Sequence, residues 1–167
     1  MTRSLRTRAA ALLAALGVLS GVAGCGLFDG DSPQETLTAF LGAWSAGNDP
    51  GAAALTDDPA AAGEVLAAAR GALSPVGLVA TAGQLREATG RATASVDVRW
   101  DLGSGRTWSY LDELELVEDP DAELGWVVHW APTVVHPQLA TGQQLALRTE
   151  EPQAAPVVDR AGVPLLE

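Results

Sequence analysis

The apolar residues of this chain change period once, and that change restricts the fold more than any other feature. Before Pro75 they recur every three or four positions; after it they alternate. In "SPQETLTAFLGAWSAGN", Leu37, Phe40, Leu41 and Trp44 fall at i, i+3, i+4 and i+7, one stripe of a helix. Ser32 stands as a cap, Pro33 opens the first turn, and Glu35 completes a capping box. Gly47-Asn48 ends the helix. "TDDPAAAGEVLAAARGAL" repeats the device, with Asp58 as cap, Pro59 at the opening, and Val65, Leu66, Ala69 and Leu73 as the stripe. Gly63 weakens this second helix slightly.

Past Pro75, "GLVATAGQL" reads as a first strand. In "RATASVDVRWD", Ala92, Ala94, Val96, Val98 and Trp100 alternate with polar residues, the pattern of a half-buried strand. Gly103-Ser104-Gly105 makes a hairpin turn. The next segment carries Trp108, Tyr110, Leu114 and Leu116 on one face, and "WVVHWAP" carries Trp126, Val128 and Trp130. Two helices followed by antiparallel strands can bury both stripes only against one apolar sheet face. The expected fold is therefore α+β, a curved sheet over N-terminal helices.

The first 25 residues read as an address. Arg3, Arg6 and Arg8 precede an apolar stretch from Ala9 to Leu19 and then small residues, the layout of a secretory signal. That run is too short to span a bilayer comfortably. Val22-Ala23-Gly24-Cys25 resembles the bacterial lipobox, in which the cysteine is lipidated after cleavage just before it. Cys25 is the chain's one cysteine, so it has no disulfide partner within the chain and is free for a thioether to lipid. The expected organisation is a signal peptide at 1–24, an acidic spacer at 25–32, a folded domain at 33–147 and a linker at 148–167. The expected site is the outer face of the cytoplasmic membrane, held through lipid on Cys25.

Charge and residue inventory exclude several classes of function. All ten basic residues are arginine, and without the first eight residues seven arginines face 21 acids, a formal charge of −14. Such a surface repels nucleic acid and anionic lipid. A serine nucleophile activated by lysine cannot exist in a chain without lysine. The two histidines, His129 and His136, have no neighbour at metal-ligand spacing, so no metal, cofactor or catalytic residue is expected. An acid–base pair of His129 with Asp97 or Asp112 is the one catalytic arrangement left, and strand parity turns His129 away from the interior. The acidic run from Asp112 to Glu123 reads as a solvated hairpin edge.

"WVVHWAPTVVHPQLATGQQLAL" resembles the end of the N-terminal domain of methicillin-resistance-type class B penicillin-binding proteins. Trp126, Val128, Trp130, Pro132, Val134, Val135, His136, Pro137, Leu139 and Gly142 stand at the positions of that family's motif. "EEPQAAPVVDRAGVPLLE" is similar to the start of the family's dimerisation, or pedestal, module through Asp159, Arg160 and Gly162, although Ala154-Ala155 replaces the usual arginine-glycine. The resemblance implies a nuclear transport factor 2-like cone and a non-catalytic, membrane-proximal spacer of a transpeptidase in peptidoglycan cross-linking and penicillin response. It implies continuation into pedestal and transpeptidase modules, and contact with other cell-wall synthesis proteins. Trp126, Trp130, Pro132, His136, Pro137 and Leu139 are then structural. Trp100, Trp108, Tyr110, Trp126 and Trp130 are the candidate lining of a cone cavity, the basis of an alternative reading as a free-standing lipoprotein that binds a small ligand or a cell-wall partner.

Overall fold

The computed structural model describes residues 32–150 and 160–161. The signal peptide, Cys25 and its lipobox, nearly all of the spacer, and Asp159 and Gly162 of the tail lie outside the described residues. Among the described residues three helices come first: α1 (Pro33–Ser45), the short α2 (Asp49–Ala53) and α3 (Pro59–Leu73). Four strands follow, β1 (Gly77–Ala88), β2 (Arg91–Asp101), β3 (Thr107–Glu118) and β4 (Trp126–Val128). They form one antiparallel sheet in the order β1-β2-β3-β4.

α1 buries the stripe its spacing predicts: Leu37, Phe40, Leu41 and Trp44 are all in the core. Its start differs from expectation. The Ser32 side chain makes no cap hydrogen bond. The Ser32 carbonyl instead accepts from Glu35 N at 3.0 Å, and Pro33, with φ already fixed and no N–H to satisfy, begins the helix. α3 is capped as expected, Ala61 N donating to Asp58 Oδ1 at 3.1 Å. Its buried stripe is Ala62, Leu66, Ala69 and Leu73, with Val65 half-buried at its margin.

α2 was not legible, being only five residues with a central glycine. Asn48 caps it by accepting from Gly51 N at 3.1 Å. Its position is fixed from outside: the Arg70 guanidinium of α3 holds both Asp49 carboxylate oxygens at 2.8 Å and donates to the Trp44 carbonyl at 2.7 Å. One arginine thus ties the three helices together.

β2 and β3 pair without interruption from Arg91–Val117 to Asp101–Thr107. All five apolar residues expected on the inner face of β2 are buried, and Trp100 meets Trp44 of α1 edge to face with centroids 5.8 Å apart. β1 carries a bulge between Ala82 and Leu85. Gly83 belongs there because a Cβ would stand 2.5 Å from Ser95 Oγ, the atom that accepts from Gln84 N.

Both sheet edges are covered in part. Ser45 Oγ at the end of α1 accepts from Ala80 N of β1 at 3.0 Å. On the other side the segment between α2 and α3 pairs with β4, Val128 N donating to the Leu55 carbonyl and Asp57 N to the Val128 carbonyl. That pairing limits β4 to three residues. Trp130, expected to extend the strand, sends its N–H to the Asp57 carboxylate instead. Among the described residues no helix is long and apolar enough to cross a membrane.

Candidate functional site: the strap that closes the sheet

After β4 the chain leaves the sheet, makes a 3-10 turn at Pro132–Val134, and crosses the open side of the fold as a strap through residue 148. The family motif read in the sequence occupies its first half. Val134, Val135 and Leu139 are buried in the core, while Trp130 and Pro132 are half-buried. Thr36 Oγ1 of α1 donates to the Trp126 carbonyl at 3.1 Å, so the first helix holds the strand from which the strap departs.

The strap has few backbone partners, and side chains seat it. Tyr110 Oη donates to the Val135 carbonyl and accepts from Trp100 Nε1 at 3.1 Å. The imidazole of His136 stacks on the Trp108 indole, 5.1 Å between centroids and 24° apart, and meets the Tyr110 ring edge to face at 4.7 Å. His136 Nδ1 accepts from Gln138 N at 3.2 Å, which leaves the proton on Nε2 in the neutral ring. Burial lowers the His136 pKa, so the ring is neutral where it stacks. Burial likewise raises the Tyr110 pKa, against the opposing effect of the Trp100 hydrogen bond, so its hydroxyl stays protonated. Leu139 N closes the turn on the His136 carbonyl at 2.8 Å, and Gly142, with φ +79°, redirects the chain.

Of the aromatic residues expected around a cone cavity, Trp100 is fully buried in the core and Trp126 is 8% exposed. Trp108, Tyr110 and Trp130 pack at the margin of that core. The structure therefore brings Trp100, Trp108 and Tyr110 together with His136, a residue expected to be structural and not among the candidate cavity lining.

The Asp–His pair also differs from expectation. His129 faces outward, as parity requires, but its partner is Asp57 from the α2–α3 segment, with Oδ2 2.6 Å from Nδ1. Asp57 Oδ1 also accepts from Trp130 N at 2.6 Å. Asp97 lies exposed on the outer face of β2. Asp112 points the opposite way. Register sets it across from Val96, between Tyr110 and Leu114 on the inner face, so this one member of the acidic run is buried rather than solvated. Its Oδ1 accepts from Glu113 N at 2.8 Å, whereas Oδ2 is buried with no hydrogen-bond partner. Desolvation raises its pKa to about 6. The even position of Asp112, between two inward residues, was the available signal; the surrounding acids obscured it. No group of three or more His, Cys, Asp or Glu among the described residues could hold a metal ion.

A four-stranded antiparallel sheet curled over N-terminal helices, with a strap across its open side, is the cone-like α+β architecture of the nuclear transport factor 2 class. More narrowly, the chain belongs to the family of NTF2-like N-terminal transpeptidase domains, whose family model matches residues 32–143. That span runs from the cap of α1 to the turn after Gly142, so both the helices and the strap motif are inside it. A search of curated proteins finds no match to the chain.

Proposed function

We propose that this chain is the membrane-proximal N-terminal part of a penicillin-binding transpeptidase, and that its role is to carry and orient the catalytic module rather than to react. The family match over residues 32–143 carries this reading. An NTF2-like N-terminal domain is not itself catalytic, and neither histidine of this chain is paired with a nucleophile: His129 is engaged by Asp57, and His136 is stacked in the strap. Lipid on Cys25 tethers the domain to the outer face of the cytoplasmic membrane, with Val22, Ala23 and Gly24 forming the cleavage motif. Peptidoglycan cross-linking and penicillin binding then belong to pedestal and transpeptidase modules of the same polypeptide.

Antibody raised against residues 33–147 tests the reading on membrane fractions labelled with fluorescent penicillin. The expected result is one band several times heavier than 17.1 kDa and coincident with the label. A penicillin-negative band at the mass of this chain alone would sink it. The parent antigen is expected to take up labelled palmitate and the Cys25→Ser variant to lose it; a parent antigen that takes up no label would remove the lipid anchor from the proposal.

A further inference from the structure

The strap does not lie flush on the body. Where it passes over the tip of the β2–β3 hairpin and the end of α3, a cavity of about 270 Å³ separates the two. Leu73, Leu102 and Trp108 form the body's side, while Leu145, Leu147 and Arg148 come from the strap. A second cavity of about 230 Å³ lies along α3, walled by Val65, Ala69, Leu139 and again Leu145, with Glu64 as its one charged lining residue among those described. An acidic group would therefore sit at the Arg148 end and not in this second space. Leu145 is thus a half-buried partition between two voids. Small-ligand sites typically measure roughly 300–1,000 Å³, so the two spaces reach that range once this one side chain moves.

Three observations define what would fit. The first space is apolar and aromatic: one face of the Trp108 indole stacks on His136, which fixes the ring's plane and leaves a rigid wall. Its one charged lining residue among those described is a cation, Arg148, in a chain with 21 acidic residues against ten arginines. Arg148 pairs with Glu150 at 3.3 Å, with both side chains largely exposed, a contact worth little in water. The guanidinium is therefore available at the rim. Finally, the roof from Leu145 to Arg148 belongs to no helix or strand, so lifting it breaks little regular structure.

We propose that the cavity between Trp108 and the strap is a binding site for a small aromatic anion. The ring enters beside Trp108 and displaces Leu145, and the acidic group meets Arg148. This site lies at the margin of the fold rather than in the packed interior around Trp100, and it stands independently of the transpeptidase reading.

The test uses 2-naphthoate and its neutral counterpart 2-naphthylmethanol, titrated into the isotope-labelled full chain and followed by NMR. With 2-naphthoate, the Trp108 indole N–H and the amides of residues 145–148 shift in a saturable manner, and those of the outer strand face stay still. Arg148→Glu weakens binding about two- to fivefold or more, the scale of one exposed charge pair. Ala146→Trp fills the space from an exposed position and abolishes saturation while leaving the hairpin spectrum intact. Shifts that scatter over the surface would overturn the site. Equal affinity for 2-naphthylmethanol, or an Arg148→Glu variant that binds as tightly as the parent, would overturn the assignment to anions.

Discussion

The β2–β3 hairpin and the strap differ in what holds them. The hairpin has an unbroken ladder of eleven paired positions, and its inner face is apolar at every place but one. The strap from residue 132 to 148 has only local turns and is held by Tyr110, His136, Leu139 and Leu145. Burial is spread over many similar contacts in the first and concentrated in a few specific ones in the second. A loss in the hairpin is therefore expected to unfold the domain, whereas a loss in the strap detaches a segment.

The widest separation is expected from Trp100→Ala. Trp100 is fully buried against Trp44, and truncating such a side chain costs ~3–5 kcal/mol. Urea unfolding checks it: the midpoint falls with the transition still single. A small loss accompanied by selective strap exchange would reverse the assignment of the two regions.

Asp112 is the flaw in the hairpin's inner face, and it gives the comparison a pH axis. Its carboxyl titrates near 3.8 when solvated and about 6 in the fold, so folding favours the protonated acid. Stability from this group is full below about pH 4 and is lost as pH rises to about 6. The loss is at most about 3 kcal/mol, because each tenfold weakening of the acid on folding corresponds to about 1.4 kcal/mol. Asp112→Asn removes this titration, so the difference in stability between parent and variant changes across that window and is flat above it. A difference independent of pH between 4 and 7 would mean that the carboxyl is solvated.

The hairpin's period-2 pattern was legible because its inner face is a simple apolar list, and the stripes of α1 and α3 were legible for the same reason. α2, the Asp57–His129 pair and the burial of Asp112 were not. The first two depend on a partner far along the chain, Arg70 for Asp49 and residues 129–130 for Asp57, and no local spacing records that. The inward position of Asp112 was recorded by strand parity but hidden by the acids around it. The strap motif was legible only by resemblance. Its residues have no period, because each one answers a different feature of the surface it crosses.

Tyr110→Phe separates the regions from the other side. Its ring stays, but the Val135 carbonyl loses its donor and Trp100 Nε1 its acceptor, a cost of ~1–3 kcal/mol for groups left unpaired. Hydrogen exchange is expected to quicken first at residues 134–139, with β2 and β3 amides following only global unfolding. Uniform acceleration across the sheet would place Tyr110 with the hairpin instead.

The smallest expected effect is the most diagnostic. His136→Ala removes a half-buried ring that stacks on Trp108, and aromatic pairs of this kind contribute ~0.5–1.5 kcal/mol beyond their buried area. Burial disfavours the charged imidazole, so protonating His136 weakens its seat in the strap through the cost of desolvating the charge. The lowered pKa in the fold means that His136 favours stability above the ordinary imidazole pKa of 6.5 and withdraws that contribution as pH falls below it. Asp112 acts with the opposite sign over the adjoining acidic range, so acidification tightens the hairpin while loosening the strap. Amide exchange measured at pH 7 and again at pH 5 should show strap protection falling relative to the hairpin in the parent. His136→Ala should shrink that relative change to the part Asp112 contributes through the hairpin, and a strap whose protection follows the hairpin at both pH values would show that the two regions are one cooperative unit.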